Sequence, residues 1–186
     1  MNPIPARARL IAHLTRPLDP HEAAMAADAL RFVDEHPDCL WRTCLSGHLT
    51  GSAWIVSPDR SRVLLTHHHK LDRWLQLGGH ADGDPDMAAV ALREAAEESG
   101  LTKLRILSDE LFDFDRHEIP ARGKEPAHWH FDFRFLFGAD PSEPLRISSE
   151  SKDLAWVEIG RVTSLNPEES MARMVRKTVI HPRPTA

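Results

Sequence analysis

The chain has 186 residues, of which 41% are hydrophobic and 27% are charged, and its formal net charge at pH 7 is −5. This size and composition predict one compact domain with a substantial core, and the acidic balance argues against a general nucleic-acid-binding surface. The sequence contains neither a secretory signal pattern nor a run of about 18 apolar residues, so we expect a cytoplasmic protein without a membrane partner.

The first predicted element is a helix from about Pro20 to His36, and Pro37 follows it. Small and aliphatic residues recur at helical spacing in this segment, which indicates a packing face with a structural role. We therefore assign residues 1–45 to an N-terminal helical extension that packs on a single domain formed by residues 46–186.

Two strands are predicted next, at about Leu49–Val56 and Arg62–Thr66, with a turn at Ser57-Pro58-Asp59-Arg60. The run His67-His68-His69-Lys70 follows the second strand. With His80, this run could bind phosphate through protonated imidazole or lysine, or hold a transition metal through neutral imidazole nitrogen. Only some of these side chains can act together, because successive residues of a strand face opposite ways.

The most informative segment joins a glycine turn, Gly78-Gly79-His80, to a helix predicted from about Pro85 to Ser99. Asp84 is the expected N-cap of this helix, Pro85 suits its first position, and Gly100 suits a left-handed C-terminal cap. A stripe of small side chains on one face predicts close packing of the helix on a sheet.

Three carboxylates, Glu94, Glu97 and Glu98, emerge on the other face of this helix within a single turn. Like charges at this spacing destabilise a helix unless a cation neutralises them. A hard divalent ion such as Mg²⁺ or Mn²⁺ takes oxygen ligands and shares its coordination sphere with substrate phosphates. The alternative is a solvated acidic face that binds no ion.

The second informative segment, from His128 to Phe137, alternates aromatic and polar residues, which predicts a strand with its aromatic side in the core. Two interpretations stay open for the other side: it lines a cleft that contacts an anionic substrate or a metal, or it faces solvent. Under the first interpretation, His130, Asp132 and Arg134 are candidate substrate-binding residues.

The remaining elements follow from the same patterns. The sequence predicts extended chain at about Leu104–Leu107 and Glu110–Phe114, a loop from His117 to Glu125, a strand at about Leu154–Val157 and a last helix over about Pro167–Val179.

The glycine turn and the acidic helix together resemble the signature of the Nudix hydrolases. That signature is a Gly, five residues, a Glu, seven residues and then Arg-Glu-U-x-Glu-Glu-x-Gly-U, where U is a bulky aliphatic residue. The matching residues are Gly79, Arg93, Glu94, Glu97, Glu98, Gly100 and Leu101. Two positions depart from the signature, because Pro85 stands in place of the first Glu and Ala95 in place of the first aliphatic residue.

The resemblance implies an α+β fold, the Nudix α/β/α sandwich, in which helices flank a mixed sheet. It implies a metal-dependent hydrolase that cleaves a phosphoanhydride bond in a nucleoside diphosphate linked to another moiety. Glu94, Glu97 and Glu98 would hold Mg²⁺ or Mn²⁺, with His80 as a further ligand. Arg93 would orient the carboxylates rather than contact the substrate.

The resemblance leaves the general base open between Glu98 and Glu150, which lies in a late loop. Gly78 and Gly79 of the turn, with His69 and Lys70, are candidate contacts of the substrate. The expected partner is a small nucleotide or diphosphate, with no bulk nucleic acid, and the sequence allows a homodimer.

Two other functions stay open at this stage. The glycine turn is also similar to that of isopentenyl-diphosphate isomerase, a Nudix-fold enzyme whose Cys-Gly-His turn supplies a catalytic thiol and a metal-binding imidazole. Here Gly78 replaces the thiol, so only His80 would keep its role. The second alternative is a Nudix module that binds a nucleotide without cleaving it, which would not require all three carboxylates and Arg93.

Overall fold

The computed structural model describes residues 3–123, 125–149 and 151–180. The elements, in chain order, are α1 (Ile4–Leu14), α2 (Pro20–Glu35), β1 (Gly47–Val56), β2 (Arg62–His68), β3 (Arg73–Leu75), β4 (Leu77–His80), α3 (Met87–Ser99), β5 (Arg105–Ile106), β6 (Asp113–Ile119), β7 (His128–Gly138), β8 (Ser151–Glu158), a 3₁₀ turn (Ile159–Arg161), α4 (Val162–Leu165) and α5 (Glu169–Ile180). A mixed sheet flanked by helices confirms the predicted α+β class. Within the described ranges, no helix has both the length and the apolar character needed to cross a bilayer.

Most predicted elements are present, with ends that differ from the prediction by at most three residues. This holds for α2, β1, β2, β7, β8 and α5. Of the two extended segments predicted after Gly100, the first contains the short strand β5 and the second leads into β6.

The predicted N-cap of α3 was wrong, because the helix begins at Met87, two residues after Pro85, and Asp86 precedes it. The side chain of Asp86 caps it by accepting a hydrogen bond from the Ala88 amide at 3.1 Å. Asp84, the predicted cap, instead accepts from the Asp86 amide at 2.9 Å and closes a turn ahead of the helix. Aspartates flank the proline on both sides, and either residue type suits an N-cap.

Two further segments differ from the prediction. Helix α1 has no counterpart among the predicted elements, and its N-cap residue, Pro3, makes no side-chain capping bond, so the usual start signal is missing. The predicted loop at 117–125 begins instead with the last three residues of β6, since Ile119 pairs with His128 of β7. Pairing with the long strand β7 thus extends β6 beyond the apolar residues from which it was predicted.

Strand β1 organises the sheet because it pairs with three other strands. It runs parallel to β7 along its whole length. On its other side it pairs antiparallel with β4 through Thr50–Ala53 and with β2 through Ile55 and Val56. Strands β5 and β6 pair with β7, while β3 and β8 pair with β2. The glycine turn of β4 therefore lies beside the middle of β1.

Helices cover both faces of the sheet. One face, which includes the four phenylalanines of β7, packs on apolar side chains of α1, α2 and α3. The opposite face, which includes Trp54 and Leu136, packs on Met171 and Met174 of α5. Helix α3 approaches β1 closely at Gly51, where a Cβ atom would lie only 2.7 Å from the carbonyl oxygen of Met87. This close packing is what the small-residue stripe of α3 predicts.

The polar side of β7 around Arg134 faces neither an open cleft nor solvent, so both interpretations of this part of the strand were wrong. Asp132 exposes 2% of its surface and Arg134 exposes 3%. Arg134 donates to Asp132 at 2.7 Å, to Asp113 at 3.1 Å and to Asp115 at 3.2 Å. The three carboxylates make burial of the guanidinium tolerable, because a buried charge requires paired and hydrogen-bonded partners.

Helix α5 supplies two more cations to the same carboxylates. Arg173 donates through Nε and Nη2 to both oxygens of Asp113, each at 2.8 Å, and also to the Phe114 carbonyl at 2.9 Å. Lys177 donates to Asp113 at 2.7 Å. Burial acts to raise the pKa of Asp113, but the Arg173 hydrogen bond and the charges of Arg134 and Lys177 outweigh it, so this pKa lies below its ordinary value.

The N-terminal helices are joined to this network by the fully buried Glu22 of α2. Lys177 donates to its two oxygens at 2.6 and 2.7 Å, and the Phe114 amide donates to it at 3.0 Å. His13 of α1 lies 2.9 Å from the same carboxylate. Helices α1 and α2 thus share both an apolar core and a polar network with the sheet. The domain boundary between residues 45 and 46 stays a prediction.

Replacement of Arg173 by methionine should lower the free energy of unfolding by about 3–5 kcal/mol, because it leaves buried carboxylates without their bidentate partner. The measurement is urea denaturation followed by tryptophan fluorescence. Arg176→Met is the matched control, since Arg176 lies on the same helix in an exposed pair with Glu169, where a change below about 1 kcal/mol is expected. Equal losses in the two variants would contradict this account of the network.

Candidate active site

The three carboxylates of α3 differ in their surroundings at the glycine turn. Glu98 is buried, with 6% of its surface exposed, and the Gly78 amide donates to its Oε2 at 3.2 Å. Glu94 is half-buried against Gly79, while Glu97 is exposed. The turn thus holds two of the carboxylates against backbone and leaves the third open to solvent.

Gly79 makes room for the carboxylate of Glu94. A Cβ atom at position 79 would lie 2.3 Å from Oε2 of Glu94 and 2.4 Å from its Cδ. No side chain other than hydrogen fits there unless Glu94 moves. The glycine is therefore required by the position of the carboxylate.

Arg93 links the turn to the helix. Its Nη2 donates to the His80 carbonyl at 2.9 Å and to Oε1 of Glu94 at 2.8 Å. The hydrogen bond to Glu94 raises the pKa of Arg93 above its ordinary value. These contacts support the predicted role of Arg93 in orienting a carboxylate.

Histidines from four strands meet at the end of the sheet next to the turn. His48 of β1, His80 of β4 and His130 of β7 have ring centroids 4.8–5.0 Å apart. His128 lies 4.9 Å from His48 and 5.2 Å from His130, measured between ring centroids. His117 of β6 lies 5.5 Å from His130. We call these five residues the histidine cluster.

Burial lowers the pKa of several of these imidazoles. The pKa of His80 falls to about 4, chiefly through burial and then through the positive charge of Arg42. The pKa of His130 falls to about 2, through burial and the neighbouring histidines His117 and His80. Burial also lowers the pKa of His48. Lowered pKa values favour the neutral form of His48, His80 and His130 at physiological pH, in which a ring nitrogen is available as a lone-pair donor.

A family model described as the NUDIX domain matches residues 48–178, which is more than half of the chain. The chain belongs to the Nudix family. Membership of this family, with the carboxylates and Arg93 at their signature positions, makes the protein a Nudix-type pyrophosphohydrolase.

Solved Nudix structures share its fold. The chain is similar to an Ap4A hydrolase from C. elegans, with 20% identity, a TM-score of 0.58, and coverage of 70% of this chain and 94% of that one. It is also similar to a NUDIX-family hydrolase from Clostridium perfringens (25% identity, TM-score 0.53, coverage 72% and 97%). A third structure is the E. coli dihydroneopterin triphosphate pyrophosphohydrolase (14% identity, TM-score 0.58, coverage 72% and 96%). No curated protein sequence matches the chain.

The Nudix carboxylates fit a hard divalent ion. Glu94, Glu97 and Glu98 present carboxylate oxygens from one turn of α3, and oxygen ligands are those that Mg²⁺ and Mn²⁺ prefer. Gly79 leaves the space that the Glu94 carboxylate needs. The donor set of the site therefore agrees with the divalent-metal chemistry of the Nudix family.

The loop in which Pro85 replaces the signature Glu is held by the segment just before β1. Arg42 donates to both oxygens of Asp82, at 2.8 and 2.7 Å. Gly83, with a φ of +91°, packs so closely on Trp41 that a Cβ atom would lie 2.3 Å from the indole ring. These contacts support the loop without the carboxylate of the signature.

The other predicted site residues have different locations. Gly78 and Gly79 lie at the carboxylates, as described above, and His130 is half-buried in the histidine cluster. His69 and Lys70 lie exposed in the turn between β2 and β3, and within the described part of the chain no hydrogen bond or ion pair joins them to the carboxylates of α3. Glu150 lies outside the described residues.

Sequence patterns missed several residues that the fold brings to this region. His48 stands alone in its segment, and only the parallel register of β1 on β7 places it opposite His130. Gln76 donates to Asp132 at 3.2 Å, and Ser52 donates to the same carboxylate at 2.7 Å. These residues become neighbours only through strand pairing, which a local sequence pattern does not reveal.

Replacement of Gly79 by alanine should weaken Mn²⁺ binding about 10–100-fold, the loss typical of disturbed support for a metal ligand. The added methyl group displaces the Glu94 carboxylate, whose end is flexible, so the midpoint of thermal unfolding should change little. Electron paramagnetic resonance of free Mn²⁺ measures the affinity. Gly160→Ala is the control, since no atom lies within 4 Å of a Cβ there. Unchanged affinity in Gly79→Ala would show that Glu94 does not bind the ion.

Acidification should destabilise the chelator-treated protein between about pH 6.5 and pH 4. The unfolded chain protonates His80 near its ordinary pKa of 6.5, whereas the folded chain does so near 4. The unfolded state therefore binds more protons in this window, and stability falls as the pH falls. His80→Asn should remove on the order of 2 kcal/mol of this pH dependence in urea titrations. The exposed His69→Asn should leave it unchanged, and equal slopes for His80→Asn and wild type would contradict the assignment.

Proposed function

We propose that the protein hydrolyses a phosphoanhydride bond in a nucleoside diphosphate linked to another moiety, with Mg²⁺ or Mn²⁺ as the required ion. The observation that carries the proposal is the buried carboxylate of Glu98 held by the Gly78 amide, with Glu94 and Glu97 on the same helix face. A pure binding protein has no need for three carboxylates on one helix face, whose mutual repulsion a bound cation would offset.

Each residue of the site has a distinct proposed role. Glu94, Glu97 and Glu98 would hold the ion, which neutralises the diphosphate and acidifies an attacking water when bound. Arg93 fixes Glu94 through their 2.8 Å hydrogen bond and anchors the turn through the His80 carbonyl. The turn therefore keeps the first carboxylate oriented while the substrate exchanges.

Glu98 is the general base that we propose among the described residues. The Gly78 amide occupies one side of Oε2, and burial of this carboxylate keeps bulk water from competing with the attacking water molecule. Glu150 remains the alternative base, because the sequence predicts a late loop at this position.

Isomerase chemistry is not supported. The turn has Gly78 where the isomerase has its thiol, and both cysteines of the chain, Cys39 and Cys44, are buried. Burial raises the pKa of Cys39 to about 12, which disfavours the reactive thiolate. The proposal is therefore hydrolysis.

The first experiment is a substrate panel in Mg²⁺ or Mn²⁺ with products identified by mass. The panel contains Ap4A, dihydroneopterin triphosphate, ADP-ribose, nucleotide sugars, nucleoside triphosphates and isopentenyl diphosphate. We expect cleavage at a phosphoanhydride bond that chelation abolishes. Glu98→Gln should lower kcat about 10²–10⁴-fold, as expected for removal of a general base. The exposed Glu158→Gln is the matched control and should retain wild-type rates.

Three outcomes would count against parts of this proposal. Conversion of isopentenyl diphosphate without release of phosphate would overturn it in favour of the isomerase. Tight binding of an intact nucleotide in Mg²⁺ would favour the non-catalytic module. A normal rate in Glu98→Gln together with a collapsed rate in Glu150→Gln would keep the hydrolase and move the base.

A further inference from the structure

Strand pairing gathers the histidine cluster on one side of the sheet. In the parallel register of β1 and β7, His48 lies directly opposite His130, and His128 lies two residues earlier on the same side of β7. Together the three residues offer ligand atoms that all lie within 4.8 Å of one another. They come from positions that are 80 and 82 residues apart in sequence, so only the fold creates this proximity.

The ring of His48 is buried and poorly satisfied among the described residues. It exposes 3% of its surface, and neither of its ring nitrogens makes a hydrogen bond of ordinary geometry with the described residues. Burying a polar group that lacks good hydrogen bonds is unfavourable. A ligand that accepts the nitrogen lone pair would remove this cost.

His128 presents a defined nitrogen to the centre of the cluster. Its Nδ1 lies 2.9 Å from the carbonyl oxygen of Pro126, and a carbonyl can only accept, so Nδ1 is the donor nitrogen of the ring. Nε2 is therefore the nitrogen left to bind a ligand. An imidazole N–H donated to a backbone carbonyl is the usual support of a metal-ligating histidine, because it sets both tautomer and ring orientation.

The spacing of the nitrogens suits a small tetrahedral ion. The Nε2 atoms of His128 and His130 lie 3.3 Å apart. Two ligands in a tetrahedral Zn²⁺ site, each about 2.0–2.1 Å from the ion, are about 3.3–3.4 Å apart. His48 completes a triad after a ring movement, since the ligand atoms all lie within 4.8 Å of one another, at most about 1.5 Å more than this edge.

We propose that His48, His128 and His130 form a binding site for a nitrogen-preferring divalent transition metal, with Zn²⁺ as its representative, distinct from the carboxylate site of α3. Three imidazole ligands suit Zn²⁺, Ni²⁺, Co²⁺ or Cu²⁺, whereas Mg²⁺ prefers oxygen. Three protein ligands also leave a fourth position free, as in catalytic rather than closed structural zinc sites. His80 packs against two members of the triad.

The test measures metal binding directly and needs no substrate. Chelator-treated protein without a polyhistidine tag is dialysed against Zn²⁺ or Co²⁺, and bound metal is determined by mass spectrometry, with visible absorption of the Co²⁺ form as a second readout. We expect one equivalent of tightly bound Zn²⁺ and tetrahedral Co²⁺ bands. His48→Asn and His130→Asn should each weaken the affinity at least 100-fold.

Two control variants separate this site from other sources of binding. The exposed His69→Asn should bind like wild type. The double variant Glu94→Gln, Glu98→Gln should keep the tight Zn²⁺ equivalent, because the carboxylates are not its ligands. Loss of the tight equivalent in that double variant, with retention in the histidine variants, would overturn the proposal.

A wild-type measurement covers the case in which a histidine variant does not fold. X-ray absorption of the Zn²⁺ form should show imidazole nitrogen in the first coordination shell. A shell made only of oxygen, or the absence of tight Zn²⁺ or Co²⁺ binding by wild type, would show instead that the histidines are a packed imidazole cluster. These outcomes are independent of whether a hydrolytic substrate is found.

Discussion

The buried charge of Asp113 is the constraint on which the arrangement of the rest of the chain depends. A carboxylate at this position requires compensation, and the compensation comes from distant parts of the sequence: Arg134 of β7, and Arg173 and Lys177 of α5. Lys177 extends the network to Glu22 of the N-terminal helices. A last helix, a strand pair and an N-terminal segment are thus held together by charges that are costly to bury singly and tolerable only as a set.

The same network reaches the glycine turn. Arg134 pairs with Asp132, whose carboxylate also accepts hydrogen bonds from Ser52 of β1 and from Gln76, the residue just before β4. On the far side of β1, the absence of a side chain at Gly51 lets α3 lie against the strand. The position of the Nudix carboxylates therefore depends on two features: the ion pair of Arg134 with Asp132 and the absence of a side chain at Gly51.

Local sequence information was sufficient for the elements that carry a pattern of their own and insufficient for contacts between strands. The acidic helix, the glycine turn and the alternating strand at His128 are each defined within about fifteen residues, and each is present. The environment of Arg134 was predicted wrongly, because the alternation of residues in β7 shows which side chains share a side of the strand but not whether that side is covered. Here α5 covers it with compensating charges.

His48 carried no local signal, since its partners become neighbours only through the parallel register of β1 on β7. Asp86 rather than Asp84 caps α3 because a choice between two adequate caps is decided by the turn before the helix.

His80 takes part in two regions of the molecule at once. Its ring lies among the histidines, while its backbone carbonyl accepts the hydrogen bond of Arg93 that positions Glu94. A substitution at this position changes the packing of the imidazoles and, through any shift of the turn, the geometry of the carboxylates. Position 80 therefore couples the two regions mechanically, because the ring of His80 packs in one region and its carbonyl anchors Arg93 in the other.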